Sequence, residues 1–195
     1  MNKIYILGRQ EVPKRLTLRE NDDLHITFVA WPGYNGEVDF EIDIERPGAN
    51  LDIAALYLNN NGDRVDFNIT VRHLVGGSKS RQLFKGVVGD RASAKFNGLI
   101  YVAQDAQKTE AYQENHTLLM SDGKVETSPK LEIYADDVKC SHGASVGRLN
   151  PDELFYMRSR GIPEKEAKRM QVISFISDVL ARLPEDIQEK IISMI

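Results

Sequence analysis

The sequence predicts a mainly β body followed by a small helical region, and three observations carry that expectation. Of the 14 glycines, only Gly161 lies beyond residue 150. The first part consists of short runs rich in β-branched and aromatic residues, separated by turn formers. After Asn150 the pattern changes to apolar residues recurring every three or four positions, the period of a helix face.

The runs, in order, are Ile4–Leu7, Leu24–Ala30, Val38–Ile44, Ile53–Leu58, Val65–Val75 and Leu83–Val88, then Ala94–Val102, His116–Met120, Leu131–Tyr134 and Val138–His142. Val38-Asp39-Phe40-Glu41-Ile42-Asp43-Ile44 alternates strictly, which puts apolar groups on one face of a strand and carboxylates on the other. Pro32-Gly33, Asn35-Gly36, Pro47-Gly48, Asn61-Gly62, Gly76-Gly77, Asn97-Gly98 and Asp122-Gly123 are turn signals between or within these runs. Strand centres near Phe28, Glu41, Leu56, Ile69, Phe84 and Ile100 are 13, 15, 13, 15 and 16 residues apart. Such regular spacing fits the half-turns of a solenoid and leaves a jelly roll open, since no hexapeptide repeat is present.

The tail reads as three helices. Asn150-Pro151-Asp152-Glu153 supplies an N-cap, a proline in the first turn and acids at the positive end of the dipole. Gly161 is a natural stop. A second helix starts after Ile162-Pro163, with Ala167, Met170, Ile173, Ile176, Leu180 and Leu183 as one apolar stripe. A third begins at Pro184, and its apolar Ile187, Ile191, Met194 and Ile195 either pack back on the β body or form a patch for another protein. The expected division is a β body over 1–149 and a helical domain over 150–195.

Composition narrows the function classes. With 25 basic and 29 acidic side chains the net charge is −4, which gives no support for nucleic-acid binding. The single cysteine, Cys140, excludes an internal disulfide framework and fits a reducing compartment. No apolar run approaches the ~18 residues of a membrane span, and Met1 to Gly8 lacks the pattern of a signal peptide. The expectation is a soluble, cytoplasmic protein without membrane partners.

Few residues carry chemistry. Gly76-Gly77-Ser78-Lys79-Ser80 lacks the spacing of a phosphate loop and leads into another strand, so it reads as a hairpin or corner turn and no nucleotide site is expected. Asp136-Asp137 are neighbours, which a strand points to opposite faces, so solvated turn acids are the preferred reading over an acid–base pair. No G-x-S-x-G or H-E-x-x-H segment exists, and His25, His73, His116 and His142 are scattered. Cys140-Ser141-His142-Gly143 differs: in a strand its thiol and imidazole face one side and can reach one soft or borderline metal. Two ligands do not saturate zinc or an iron–sulfur cluster, so the rest would come from a partner. The alternative is a buried structural cysteine beside a hydrogen-bonded histidine.

Several longer segments follow one another in a particular order. They are Ser80–Val88 (SRQLFKGVV), Phe96-Asn97-Gly98, Ala106–Gln113 (AQKTEAYQ), Asn115–Ser121 (NHTLLMS), Pro129–Ala144 (PKLEIYADDVKCSHGA) and Leu154–Pro163 (LFYMRSRGIP). Over roughly residues 78–182 this run resembles the SufB/SufD family of iron–sulfur cluster assembly proteins, and its SufD-like members in particular.

The resemblance implies a right-handed parallel β-helix, a single-stranded solenoid, followed by a C-terminal helical domain. It implies a non-catalytic scaffold subunit that docks a SufC-type ATPase through the helices. The β-helix would pair with a SufB-like chain, or with a second copy as a homodimer, and nascent clusters or iron would be handled near that interface. On this analogy Cys140 and His142 occupy the family's Cys-x-His position, with His142 the preferred assembly residue. Leu154, Phe155, Tyr156, Arg158, Arg160, Gly161, Ile162 and Pro163 would form the docking surface. No cofactor is expected to be held stably by the chain alone; an iron–sulfur cluster or iron would be bound transiently in the complex. SufB-like members carry cysteines in the segments of Asn115 and Asp122 and a Glu at Gly143, so this chain departs from them toward SufD. It is also shorter than usual members. The competing readings are a β-helix carbohydrate-active or acyl-transfer enzyme using Asp136, Asp137 or a histidine, and a purely structural β-helix.

Overall fold

The computed structural model describes residues 1–195 and lays successive strands alternately into two sheets. The strands are β1 (Asn2–Ile6), β2 (Arg15–Leu18), β3 (Asp23–Ala30), β4 (Gly36–Ile44), β5 (Asn50–Asn59), β6 (Arg64–His73) and β7 (Lys79–Val88). They continue with β8 (Ser93–Val102), β9 (Glu110–Leu119), β10 (Lys124–Ile133) and β11 (Lys139–Gly147). Three helices follow: α1 (Pro151–Ser159), α2 (Glu164–Leu180) and α3 (Glu185–Met194). Odd-numbered strands form a six-stranded sheet in the order β1-β3-β5-β7-β9-β11, and even-numbered ones a five-stranded sheet in the order β10-β8-β6-β4-β2.

Every ladder is parallel. Asn50 pairs with Lys79, Lys79 with Glu110 and Glu110 with Lys139, so successive turns advance 29, 31 and 29 residues. Half of such a turn is the interval seen between strand centres in the sequence. The fold is therefore a parallel β-solenoid of about five turns with three C-terminal helices, and all-parallel pairing removes the jelly roll. Strand β2 has no counterpart among the sequence runs, and β9, β10 and β11 extend through polar residues at one or both ends. The Gly76-Gly77 segment is a corner that carries the chain from the even sheet to the odd one, not a hairpin.

Alternation places Phe28, Phe40, Phe67, Phe84 and Phe96 between the sheets, all essentially buried. Their rings form a continuous stack, with centroids 5.4 Å apart for Phe28–Phe40 and Phe67–Phe84 and 4.6 Å for Phe84–Phe96. Burying each such side chain contributes about 1.5–3 kcal/mol, and the edge-to-face geometry adds about 0.5–1.5 kcal/mol per pair. The stack spans the turns from β3 to β8. Toward the later turns the axis becomes partly polar: Gln82 of β7 and Gln113, Asn115 and Thr117 of β9 are all buried inside the solenoid.

The outer face of the odd sheet is apolar where the helices cover it. Val29, Ala54, Leu56, Leu58 and Leu83 join Ile176, Val179, Leu180, Leu183 and Ile191 in a second apolar cluster. The third helix thus packs back on the β body. The buried face of α2 runs through Ala167, Gln171, Val172, Ile176, Val179 and Leu180. Met170 is exposed and Ile173 half-buried, which shifts the stripe read from the sequence. The shift follows from where α2 lies: its contact line toward the sheet runs through residues 172, 176, 179 and 183, a spacing of four, three and four. Arg182 donates to Asp52 at 2.5 Å and Lys85 pairs with Asp178 at 3.4 Å, fastening the helix to β5 and β7. No helix is long and apolar enough to cross a membrane.

Candidate functional site

Strand β11 is the last strand of the odd sheet and β10 the last of the even sheet, so the solenoid ends in an open rung. Neither strand contains a buried residue. The register fixes which side chains face inward there. Cys140, His142, Ala144 and Val146 lie over Ala111, Gln113, Asn115 and Thr117, all of them interior residues. Cys140 and His142 therefore share the inward face, with Ser141 between them turned outward.

Cys140 is half-buried and packs on the small cluster of Ile100, Val102, Ala106, Ala111 and Ala135 that ends the apolar interior. Burial pushes its thiol up, and a backbone hydrogen bond from Ala111 offsets that only in part. A thiol held this way has less thiolate at neutral pH than an exposed cysteine. His142 is exposed at the open end. No third His, Cys, Asp or Glu joins them, and no group of three or more such residues in the chain is arranged to hold a metal ion. The arrangement offers one soft and one borderline donor on the end face of the solenoid, with the remaining positions of any bound iron or cluster open to another molecule.

The strand that carries these residues runs straight into α1. Asn150 caps α1 by accepting from the backbone N–H of Asp152 at 2.9 Å and of Glu153 at 3.3 Å. Gln171 of α2 donates to the Asn150 carbonyl and to Glu153, both at 3.1 Å, and ties the two helices together. Helix α1 buries no residue. Phe155 is 74% and Tyr156 60% exposed, and Arg160 lies over the Tyr156 ring at 5.2 Å. Arg158 pairs with Glu164 at 3.5 Å, and Leu154 and Ile162 are half-buried. Gly161, at a φ of 86°, turns the chain toward Pro163, which caps α2. The eight residues named from the sequence thus form one projecting helix and its exit turn.

The other candidates disperse. Asp136 and Asp137 are exposed in a bend, and Asp137 is bonded to Lys108 and Gln107, not to a histidine. His73 is fully buried between Ser78 and Ser80. The polar column beneath His142, Gln113 over Gln82, went unnoticed in the sequence because its residues look like surface amides. Only their fixed separations, Gln113 one turn and Gln82 two turns before His142, point to it.

The description "SUF system FeS cluster assembly, SufBD core domain" matches residues 11–175. The chain belongs to the SufBD family. It is 43% identical over 139 residues to the iron–sulfur cluster assembly protein SufD of Escherichia coli, which covers 71% of this chain and 33% of that protein. Against SufD of Bacillus subtilis the identity is 37% over 132 residues, or 67% of this chain and 30% of the relative. A SufBD-family protein of Mycobacterium leprae is 29% identical over 181 residues, covering 88% of this chain and 46% of its own length. The chain thus spans between about a third and a half of these relatives. SufBD membership and SufD likeness place it among assembly proteins of the SUF system.

Proposed function

We infer that the chain is a non-catalytic scaffold with two contact surfaces. The α1 surface, Leu154 to Pro163, docks a SufC-type ATPase. The open rung of β10 and β11 stacks against a second β-solenoid, either a SufB-like chain or another copy of this one. Cys140 and His142 then lie at the junction and help hold a nascent cluster or iron whose other ligands the partner supplies. In this reading residues 1–149 form the β body, residues 150–195 the helical domain, and the complex works in the cytoplasm.

One observation carries the reading: the strand bearing Cys140 and His142 is an unpaired sheet edge, and it continues through three residues into the exposed aromatic helix. A free edge is a template for another strand. Phe155 and Tyr156 have the exposure and chemistry of interface anchors. Movement of α1 on a partner that hydrolyses ATP pulls directly on β11, which is hydrogen-bonded on one side only, to β9.

The test is binding of a purified SufC-type ATPase to the full chain and to a Phe155→Ala/Tyr156→Ala variant. Deleting the tail is less clean, because α2 and α3 cover Leu56 and Leu83. Loss of about 2 kcal/mol or more of binding energy with an unchanged melting temperature is expected for exposed anchors. Equal binding by both proteins would remove α1 from the interface.

A further inference from the structure

The odd sheet stacks Ile53, Gln82, Gln113 and His142 in one inward-facing column, each directly over the next in parallel register. Gln82 and Gln113 have no exposed surface. Gln113 donates from Nε2 to Gln82 Oε1 at 3.0 Å, in the manner of an amide ladder. The oxygen of Gln113 and the nitrogen of Gln82 are buried without any partner. A buried unpaired acceptor costs about 1–3 kcal/mol, so the Gln113 oxygen is a group in want of a donor.

The opposite sheet cannot supply it from the facing position. Gly98 stands there, and a Cβ on it would fall 2.5 Å from both amide atoms of Gln113. Pro129, the next rung above Gly98, has no N–H. Thr127, whose hydroxyl is also buried and unpartnered, lies two residues off that position. On β11 the inward residues are Cys140, His142, Ala144 and Val146, and His142 alone among them carries a strong donor. It stands next above Gln113 in the column.

We propose that Gln113 is a positioning residue for His142. Its side-chain oxygen accepts the hydrogen bond of one imidazole N–H, which fixes the tautomer and turns the other ring nitrogen, with its free lone pair, toward the open end of the solenoid. A histidine that binds a metal nearly always donates its second nitrogen to such an acceptor, which holds the ring and raises its basicity. The inference rests on the reading of His142 as the assembly residue. It also gives the polar column a role: with Gln113 donating to Gln82, the Gln113 oxygen is the atom left to accept.

The experiment reads the His142 tautomer from imidazole nitrogen shifts in the full chain at neutral pH. The unaltered protein is expected to show one tautomer. Gln113→Met, close in shape but without a strong acceptor, is expected to return His142 to the mixture of a free imidazole. Identical His142 shifts in the unaltered protein and in Gln113→Met would overturn the proposal, as would a shift that follows Thr127→Val instead. Should the methionine variant fail to fold, Overhauser contacts between the His142 ring and the Gln113 side chain in the unaltered protein decide the matter, and their absence overturns it. In an assembly assay with partner subunits, Gln113→Met should lower cluster delivery roughly 10- to 100-fold. If His142→Ala leaves delivery intact, the functional reading fails by itself, because the tautomer measurement does not depend on it.

Discussion

His73 closes the β6–β7 corner, and its burial makes a quantitative pH prediction. Its ring has no exposed surface, and each nitrogen lies 2.8 Å from a serine oxygen, Nδ1 from Ser78 and Nε2 from Ser80. Those two hydroxyls satisfy a neutral imidazole, one nitrogen donating and the other accepting, but provide no charge to balance a protonated one. Desolvation accordingly lowers the pKa from 6.5 to about 4. The unfolded chain therefore binds the proton at a higher pH than the folded one. The associated stability is fully present above about pH 6.5, is lost progressively as pH falls toward 4, and changes no further below that.

The full loss across this window is about 3 kcal/mol, since each tenfold difference in proton affinity between the folded and unfolded chain is worth roughly 1.4 kcal/mol. Between pH 7.5 and pH 5.0 the loss attributable to His73 is about 2 kcal/mol, which corresponds to about 1 M in urea midpoint for a slope near 2 kcal/mol/M. Other groups titrate near pH 5, so the assay is the difference between the unaltered protein and His73→Gln at both pH values. The variant should be less stable at pH 7.5 and should have most of that deficit removed at pH 5.0. A difference independent of pH would refute the argument. So would a His73 ring, followed by nitrogen shifts in the unaltered protein, that protonates in the folded state near pH 6.5.

Two other expectations follow from the packing. Gly86 faces the ring of Tyr57, and a Cβ there would lie 1.9 Å from it, while the buried Tyr57 hydroxyl is held 2.7 Å from Thr117; Gly86→Ala should cost about 1–3 kcal/mol by overpacking, and an unchanged urea midpoint would contradict this. Backbone amides of β10 and β11 should exchange roughly 100-fold faster than those of β5 and β7, because the end strands bury no residue, and should slow when a partner solenoid is bound; protection of β11 equal to that of β5 in the free chain would contradict the open rung.

The solenoid was legible because two periods coincide. Alternation within Val38–Ile44 marks a strand with one buried face, and equal spacing between strand centres marks half-turns. What stayed hidden is equally physical. Arg15–Leu18 is too short to show alternation, and it is a strand only because Glu41–Ile44 offers it a ladder. Lys124–Ser128 has one apolar residue, Val125, and so no visible buried face, yet it is held extended by Ser93–Asn97 in the rung before. For the site, the shared face of Cys140 and His142 follows from a period of two. That their rung is the last one does not, because a sequence pattern repeats without announcing where the stack ends. Gln82 and Gln113 were invisible for a related reason: an amide reads as surface until the register places it on the axis.

These placements combine into a gradient along the solenoid. From β3 to β8 the axis is built on the aromatic stack, and over β3, β5 and β7 the outer face is roofed by α2 and α3. Past Phe96 both supports thin together: the interior keeps only the small cluster around Ile100 and Ala111 beside amides and hydroxyls, and the helical cover stops short of β11. A rung with neither an apolar interior nor a roof contributes little stability of its own. Leaving the Thr127 hydroxyl unpaired there makes the cost larger. In the proposed complex a second solenoid end would stack there, offering strand edges to the free ladders of β10 and β11 at once. The inward-facing Cys140 and His142 would then be enclosed between two rungs, where a bound metal is shielded from water and the partner's side chains complete its coordination.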